Sequence, residues 1–109
     1  MKGNTLLIFC TCPDLENAEQ IAGHLVDNGL AACVNITAPV SSTYLWRNKR
    51  ETSEEILLLI KSSRHRYPAL EHAIVSLHPY ELPEIIAVPV EQGLPGYLQW
   101  VDQCTTKNY

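Results

Sequence analysis

The residues best suited to chemistry are concentrated in one short stretch, Ser76–Glu84, which carries an imidazole, a phenol and two carboxylates. Pro79 disfavours helical geometry at the preceding His78, so a helix that reaches this point must end there. Pro83 extends the chain at Leu82 in the same way. The stretch is therefore predicted to be a stiff, extended connection, and a stiff loop on a rigid scaffold is a suitable place for a binding site.

Thiols are the second source of reactive groups. The chain has four cysteines, Cys10, Cys12, Cys33 and Cys104. Cys10 and Cys12 are two residues apart in a strand-like run, so both side chains point to the same face. No Cys-x-x-Cys pair is present, which argues against a structural zinc site. On the residues alone, a free cysteine is more commonly a small buried apolar side chain than a ligand, and Cys33 and Cys104 are expected in the core.

The sequence contains no recognisable catalytic motif. There is no glycine-rich phosphate loop and no nucleophile elbow. A carboxylate of Glu54 or Glu84 acting with His78 as an acid–base pair is conceivable, but no feature singles out a substrate. We therefore expect a binding protein rather than an enzyme.

Length and charge narrow the class of protein. The chain has 109 residues, which is room for a single domain spanning residues 1–109. A net charge of −4 argues against general nucleic-acid binding, which needs clustered Lys and Arg. The apolar run from Leu6 to Cys10 is too short for a signal peptide, and no run approaches the ~20 apolar residues of a membrane span. The expectation is a cytoplasmic protein with no membrane or nucleic-acid partner, whose cysteines are thiols rather than disulfides.

Hydrophobic periodicity predicts four strands and three helices. The predicted strands are Leu6–Cys10, Ala31–Trp46, Glu51–Ser62 and Glu84–Val90. The first predicted helix is capped by Asp14 and stops at Asn28–Gly29, and the second runs from about Arg64 to Leu77. The last helix carries four residues on one face: Tyr97, Trp100, Val101 and Cys104. Arg47–Arg50 is the predicted hairpin turn, and Pro39 predicts a bulge or an edge position. This order is the split strand–helix–strand pattern of the ferredoxin-like fold: an α+β domain with a four-stranded antiparallel sheet, both long helices on one face and a C-terminal helix.

The third strand is apolar on both faces. Glu55, Leu57, Leu59 and Lys61 alternate with Glu54, Ile56, Leu58 and Ile60. Helices would cover only one face of this sheet, so a monomer would expose a large apolar surface, which soluble monomers avoid. We expect the chain to associate with copies of itself, sheet against sheet, with closed cyclic symmetry.

Over nearly its whole length the chain resembles the CutA divalent-cation tolerance family. The matching segments are Cys10–Asp14, Leu30–Asn35, Tyr44 with Trp46, Glu54–Glu55 with Lys61, His78–Tyr80 with Pro83–Glu84, and Tyr97–Leu98 with Trp100. The resemblance implies a ferredoxin-like homotrimer whose long hairpin wraps neighbouring subunits. It also implies binding of divalent metal, copper above all, and a part in metal tolerance, whereas animal relatives are tied to anchoring of acetylcholinesterase.

The resemblance further implies a metal site. Cys10 and His78 are the implied ligands of a copper ion, since copper and zinc favour thiolate and imidazole donors. The implied site also binds other divalent cations. Relatives that bind copper can carry a second histidine just before the first, where this chain has Leu77; Cys12 is then a substitute ligand. The alternative for His78 is a cap on the preceding helix.

An inter-subunit pocket is implied as well. Its expected lining is Trp46, Glu54, Lys61, Tyr80 and Glu84. The alternative for these residues is an ion-paired interface in which Trp46 is a packing anchor. The alternative function is a trimeric small-ligand signalling or scaffold protein without metal chemistry, although the short, charged hairpin turn favours a structural hairpin over a mobile sensor loop.

Overall fold

The computed structural model describes residues 4–106, which form four strands and three α-helices. In chain order these are β1 Thr5–Cys12, α1 Leu15–Asp27, β2 Cys33–Trp46, β3 Lys49–Ser63, α2 Tyr67–Leu77, β4 Ile85–Pro89 and α3 Pro95–Thr105, with a 3₁₀ turn Arg64–Arg66 before α2. The strands form one sheet in the order β2-β3-β1-β4. All three pairings are antiparallel. The predicted ferredoxin-like α+β architecture is confirmed.

The long hairpin of β2 and β3 has a tighter turn than predicted. Lys49 pairs with Trp46, and Arg50 with Leu45, so both residues belong to β3 and not to the turn. The turn is Arg47–Asn48 alone, and both residues have positive φ, 53° and 68°. A two-residue turn with this handedness matches the right-handed twist of the paired strands.

Other local features follow the sequence closely. The carboxylate of Asp14 accepts a hydrogen bond of 2.8 Å from the backbone N–H of Asn17, which caps α1 as predicted. The register of β2 against β3 shifts between Ile36 and Pro39, where the bulge was predicted. The second helix begins later than predicted because Arg64–Arg66 is a 3₁₀ turn, and Pro68 consequently lies in the first turn of α2.

The core lies between the sheet and the pair α1 and α2. Alternate residues of β1 and β3 supply one side of it, and three buried apolar residues of α1 with two of α2 supply much of the other. Its fully buried members include Ile8, Cys10, Leu58, Ile60, Ile21, Leu25, Leu70 and Ile74. Both long helices therefore cover the same face of the sheet.

The expectation that Cys33 and Cys104 are core residues is wrong. Each is only partly buried, and neither belongs to the core cluster. Cys33 pairs with Lys61 across β2 and β3, so its side chain lies on the face of the sheet opposite to Ile60. A strand thiol faces the core only when its register places it there, as it does for Cys10 and Cys12.

The opposite face of the sheet, which we call the outer face, is partly covered by α3. The Thr105 hydroxyl lies 2.8 Å from that of Ser63, and Val101 is fully buried. At β4 the outer face is apolar and open: Ile86 is 54% exposed and Val88 is 43% exposed. No helix within residues 4–106 is both long enough and apolar enough to cross a membrane.

Candidate metal centre and adjoining cleft

Two elements bring the candidate ligands together at one end of the sheet. Cys10 and Cys12 end strand β1, and their even-numbered register directs both side chains to the core face. His78 follows α2 directly, where its backbone N–H donates a 2.8 Å hydrogen bond to the carbonyl of Ile74. The extended backbone at His78, with φ −84° and ψ 136°, ends the helix as the following proline predicted.

The sulfur atoms of Cys10 and Cys12 and a ring nitrogen of His78 lie within 4.8 Å of one another. It is the one group of three metal-binding side chains of this kind among residues 4–106. Both cysteines are 0% exposed and His78 is 7% exposed. Two thiols and an imidazole form a soft donor set that suits copper or zinc, so the residues present fit a bound metal of that class.

The two thiols are electrostatically coupled. Interaction with the neighbouring Cys12 sulfur, together with burial, holds the pKa of Cys10 well above its ordinary value. The same contact lowers the pKa of Cys12, because it stabilises the Cys12 thiolate. The pair therefore favours a state in which Cys12 ionises first, and a thiolate is the form that binds metal.

Both ring nitrogens of His78 are already engaged by backbone groups. Nε2 lies 2.7 Å from the carbonyl oxygen of Thr11, and Nδ1 accepts the N–H of Tyr80 at 3.2 Å. A neutral imidazole has one N–H and one lone pair, so these bonds assign the proton to Nε2 and use both groups. The ring thus ties the loop after α2 to strand β1. It can bind metal only by giving up one of these two bonds.

The position before His78 takes no part in ligation. Leu77 is half-buried and packs against the core, and its carbonyl accepts a hydrogen bond of 3.3 Å from the amide of Asn17. The alternative prediction, that His78 caps α2, holds for its backbone: His78 is the C-cap residue, and its N–H donates to Ile74. The bonds of its ring run to β1 and to its own loop, so the ring acts as a tether between elements.

On the outer face, behind the cluster of Cys10, Cys12 and His78, lies a cleft of about 860 Å³. Its lining is Thr11, Ser42, Thr43, Tyr44, Trp46, Glu51, Glu55, Pro79, Tyr80, Glu81, Leu82 and Glu84. It is thus built from the hairpin, the end of β1 and the loop after α2. Carboxylates and aromatic rings dominate, which makes the cleft acidic and suited to a cation or to aromatic stacking.

Tyr80 and Glu55 form the innermost polar contact of the cleft. The Tyr80 hydroxyl donates a 2.7 Å hydrogen bond to a carboxylate oxygen of Glu55. Glu55 is only 6% exposed. Burial and then this bond raise the pKa of Tyr80 above its ordinary value. The rings of Tyr80 and His78 are 4.6 Å apart, so one loop contacts both the cleft and the candidate ligand cluster.

The rim of the cleft is closed by the hairpin tip. Arg47 forms a 3.1 Å ion pair with Glu81, and its guanidinium lies 5.2 Å from the centre of the Trp46 ring. Both charged side chains are largely exposed, so the pair adds little stability. It does connect the tip of the hairpin to the loop after α2.

The structure gathers only part of the predicted pocket in one chain. Trp46, Tyr80 and Glu84 line the cleft. Glu54 does not, because it alternates with Glu55 and its side chain leaves the other side of β3. Lys61 lies six residues further along β3, roughly 20 Å from Glu55 at 3.3 Å per residue, and its ammonium group contacts the Asn35 amide instead.

Sequence reasoning missed Glu55 as a pocket residue and did not commit to Cys12 as a ligand. The signal for Glu55 was available, since it shares its face of β3 with Leu57 and Leu59 and not with the core residues Ile56 and Leu58. The signal for Cys12 was its two-residue spacing from Cys10. What the sequence could not supply was the placement of His78 beside them.

Comparison with known proteins places these features in a family. Residues 6–104 match the model of the CutA1 divalent ion tolerance protein family. Protein CutA of Mus musculus is 46% identical over 103 residues, which cover 94% of this chain and 58% of the mouse protein. The divalent-cation tolerance protein CutA of Thermus thermophilus is 40% identical over 99 residues, or 91% of this chain and 96% of that one. The chain thus spans less than two thirds of the mammalian relative's length.

Solved structures give the same result. The crystal structure of CutA1 from Shewanella sp. SIB1, described as a stable protein, has a TM-score of 0.93 and 44% identity, and covers 98% of this chain and 100% of that one. CutA from Xylella fastidiosa has a TM-score of 0.91 and 48% identity, with 94% and 98% of the two chains covered. Fold and sequence therefore agree along almost the whole described chain.

Proposed function

We propose that this chain, which belongs to the CutA1 divalent ion tolerance protein family, binds divalent metal ions, copper first among them. Metal binding is the proposed means by which it contributes to metal tolerance. The observation that carries this proposal is the cluster of Cys10, Cys12 and His78, whose donor atoms lie within 4.8 Å of one another. Relatives are named for divalent-cation tolerance, which describes a property of those proteins. The cluster supplies a physical basis for that property in this chain.

Each residue of the cluster has a distinct part in the proposed site. Cys10 supplies sulfur from a rigid central strand, so little conformational freedom is lost when an ion binds. His78 stands beside them and, through Thr11, fixes the loop against β1. A bound copper ion would supply a soft, positively charged centre that offsets the negative charge of the thiolates. Burial from water keeps that interaction strong.

We propose a binding role rather than a catalytic one, and a cytoplasmic location in which thiols stay reduced. The described cysteines are free thiols, as a soft-metal site requires. The cleft beside the cluster holds carboxylates and phenols, but the sequence contains no nucleophile motif that would assign a reaction to them.

We also propose that the functional unit is a homotrimer. The open outer face, with Ile86 and Val88 exposed, is the kind of surface that a second copy of the chain covers. The hairpin supports this because Leu45, at its tip, is likewise exposed and apolar. In such an assembly the cleft would lie between subunits.

The direct test is a copper titration of the reduced protein followed by calorimetry. The expected result is saturation at one copper per subunit, lost in Cys10→Ala. Cys104→Ala is the matched control, since it removes a thiol outside the cluster and should bind as the wild type does. Weak binding that does not saturate would contradict the proposal.

A small-ligand signalling or scaffold role is a second candidate, favoured by the cleft of about 860 Å³. Its carboxylates and aromatic rings would suit an organic cation. A thermal-shift screen distinguishes the two roles, because a ligand-binding protein responds to organic cations whereas a metal-binding protein responds to copper and to chelators. Stabilisation by an organic cation that Tyr80→Ala abolishes would establish the second role.

A further inference from the structure

We propose that Cys12 is a metal ligand, and that the thiol pair Cys10–Cys12, with His78 only a positioning residue, selects a soft thiophilic cation, monovalent copper above all. This inference rests on the copper binding of the proposed function and deepens it, since it names the ligand pair and assigns the monovalent state to the bound copper. It assigns Cys12, which the sequence alone left as a substitute, to the centre of the site. It also changes the role of His78.

The geometry of the thiol pair carries the first step. Cys10 and Cys12 are alternate residues of β1, so their side chains leave the same face of the strand. Their sulfur atoms lie within 4.8 Å of each other. Two metal–thiolate bonds of about 2.3 Å each reach sulfurs up to roughly 4.6 Å apart, so this separation is compatible with both thiols binding one ion.

The hydrogen bonds of the cluster carry the second step. For the imidazole of His78 to ligate, either the 2.7 Å bond to Thr11 or the 3.2 Å bond from Tyr80 must be broken. The loss would leave a backbone group near the core without its partner. The thiols have much less to lose, because the bond from the Cys10 sulfur to the Thr11 carbonyl is 3.9 Å long and thiols are weak donors. Ligation by sulfur is therefore the less costly choice.

The identity of the ion follows from the number and softness of the donors. A closed zinc site takes four ligands. Within residues 4–106 the cluster offers two thiols and one imidazole that is already bonded. Thiolate ligands favour monovalent copper, which is satisfied by fewer ligands than zinc. Each ligating thiol gives up its proton to solvent, and no change of oxidation state is involved when copper is supplied in the monovalent form.

The test is an anaerobic titration of the reduced full chain with monovalent copper, in competition with bicinchoninate. We expect one copper per subunit in the wild type. Cys12→Ala should weaken binding by more than about 100-fold, the upper limit for a partner that only orients a ligand, and His78→Gln should weaken it by about 10-fold or less. Cys104→Ala is the matched thiol control and should not change the affinity.

A second readout needs no variant. X-ray absorption of the copper-loaded wild type should show two sulfur neighbours and no imidazole nitrogen. An imidazole in the coordination shell, or wild-type affinity in Cys12→Ala, would overturn this inference while leaving copper binding itself intact. Failure of the wild type to bind copper in either oxidation state would overturn both the inference and the proposed function.

Discussion

At the scale of single residues, the loop after α2 is organised by two neighbouring rings that face opposite sides of the sheet. His78 bonds to the backbone of β1 beside the buried thiols, whereas Tyr80 bonds to Glu55 in the cleft. The two rings stay in contact, with centres 4.6 Å apart, and the backbone N–H of Tyr80 donates to Nδ1 of His78. The candidate ligand cluster and the cleft are therefore adjacent sites joined by two residues.

Removal of the Tyr80 hydroxyl should be costly, because it leaves the buried carboxylate of Glu55 without the one hydrogen bond described for it. We expect Tyr80→Phe to lower the free energy of unfolding by about 1–3 kcal/mol. Urea denaturation measures this. Tyr67→Phe is a matched control, since the Tyr67 hydroxyl bonds to exposed Glu71, and its effect should be smaller. Equal losses in both variants would contradict the special role of the buried pair.

A pH dependence follows from Tyr67. Burial, and then the bond to Glu71, raise its pKa to about 12. The folded-state pKa lies above the ~10 of an unfolded tyrosine, so the stabilisation is complete below pH ~10 and is lost as the pH rises towards the folded value. We expect the free energy of unfolding to fall between pH ~10 and ~12, and to fall less steeply in Tyr67→Phe. Urea denaturation across this range compares the two slopes; identical slopes would exclude Tyr67 as a cause.

At the scale of elements, short local signals decide where helices and strands end. Asp14 begins α1 and Pro79 ends α2, each through a single steric or hydrogen-bonding effect. The hairpin differs, because its turn tolerates Arg47 and Asn48 at positive φ in place of glycine. There the pairing of two long strands outweighs the preference of the turn residues.

The cap of α1 can be tested by substitution. Asp14→Ala removes the 2.8 Å bond to the Asn17 N–H and should lower the free energy of unfolding by ~1 kcal/mol. Asp14→Asn is the matched control, since asparagine caps helices about as well. Chemical denaturation of the three proteins gives the comparison. A loss in the Asn variant equal to that in the Ala variant would show that charge, and not the cap, is responsible.

At the scale of the whole molecule, the sheet has one face closed by α1 and α2 and an outer face that α3 covers only in part. The described chain measures 43 × 28 × 23 Å, and its hairpin strands, at 14 and 15 residues, are much longer than the five-residue β4. A long hairpin and an open apolar face together favour association. This is the physical argument for the proposed homotrimer.

Charge on the outer face should prevent that association. Ile86 is 54% exposed and pairs with Phe9 on this face, so Ile86→Lys would bury an unpaired ammonium in the proposed interface. Light scattering should show a trimeric mass for the wild type and a smaller mass for this variant. Val75→Lys is the control, because Val75 is 55% exposed but lies on α2, and it should stay trimeric. A monomeric wild type would refute the proposed assembly.

The sequence by itself determined the elements and their order. The signals that specify them are local: apolar periodicity, the Asp14 cap, Pro39 and Pro79. Local signals depend only on neighbouring residues, so they can be identified without the rest of the fold. The ferredoxin-like arrangement followed from that order. Cys10 and Cys12 could be placed on one face from their spacing alone.

Only the tertiary structure determined which residues that are distant in the sequence contact one another. The approach of His78 to the two thiols joins residues 66 or more positions apart, which no local pattern encodes. Register decided that Cys33 turns away from the core and that Glu55, not Glu54, enters the cleft, since a shift of one residue reverses the face of a strand. The bonds that occupy both nitrogens of His78 likewise depend on where the end of α2 meets β1, and they are what points to sulfur as the ligand.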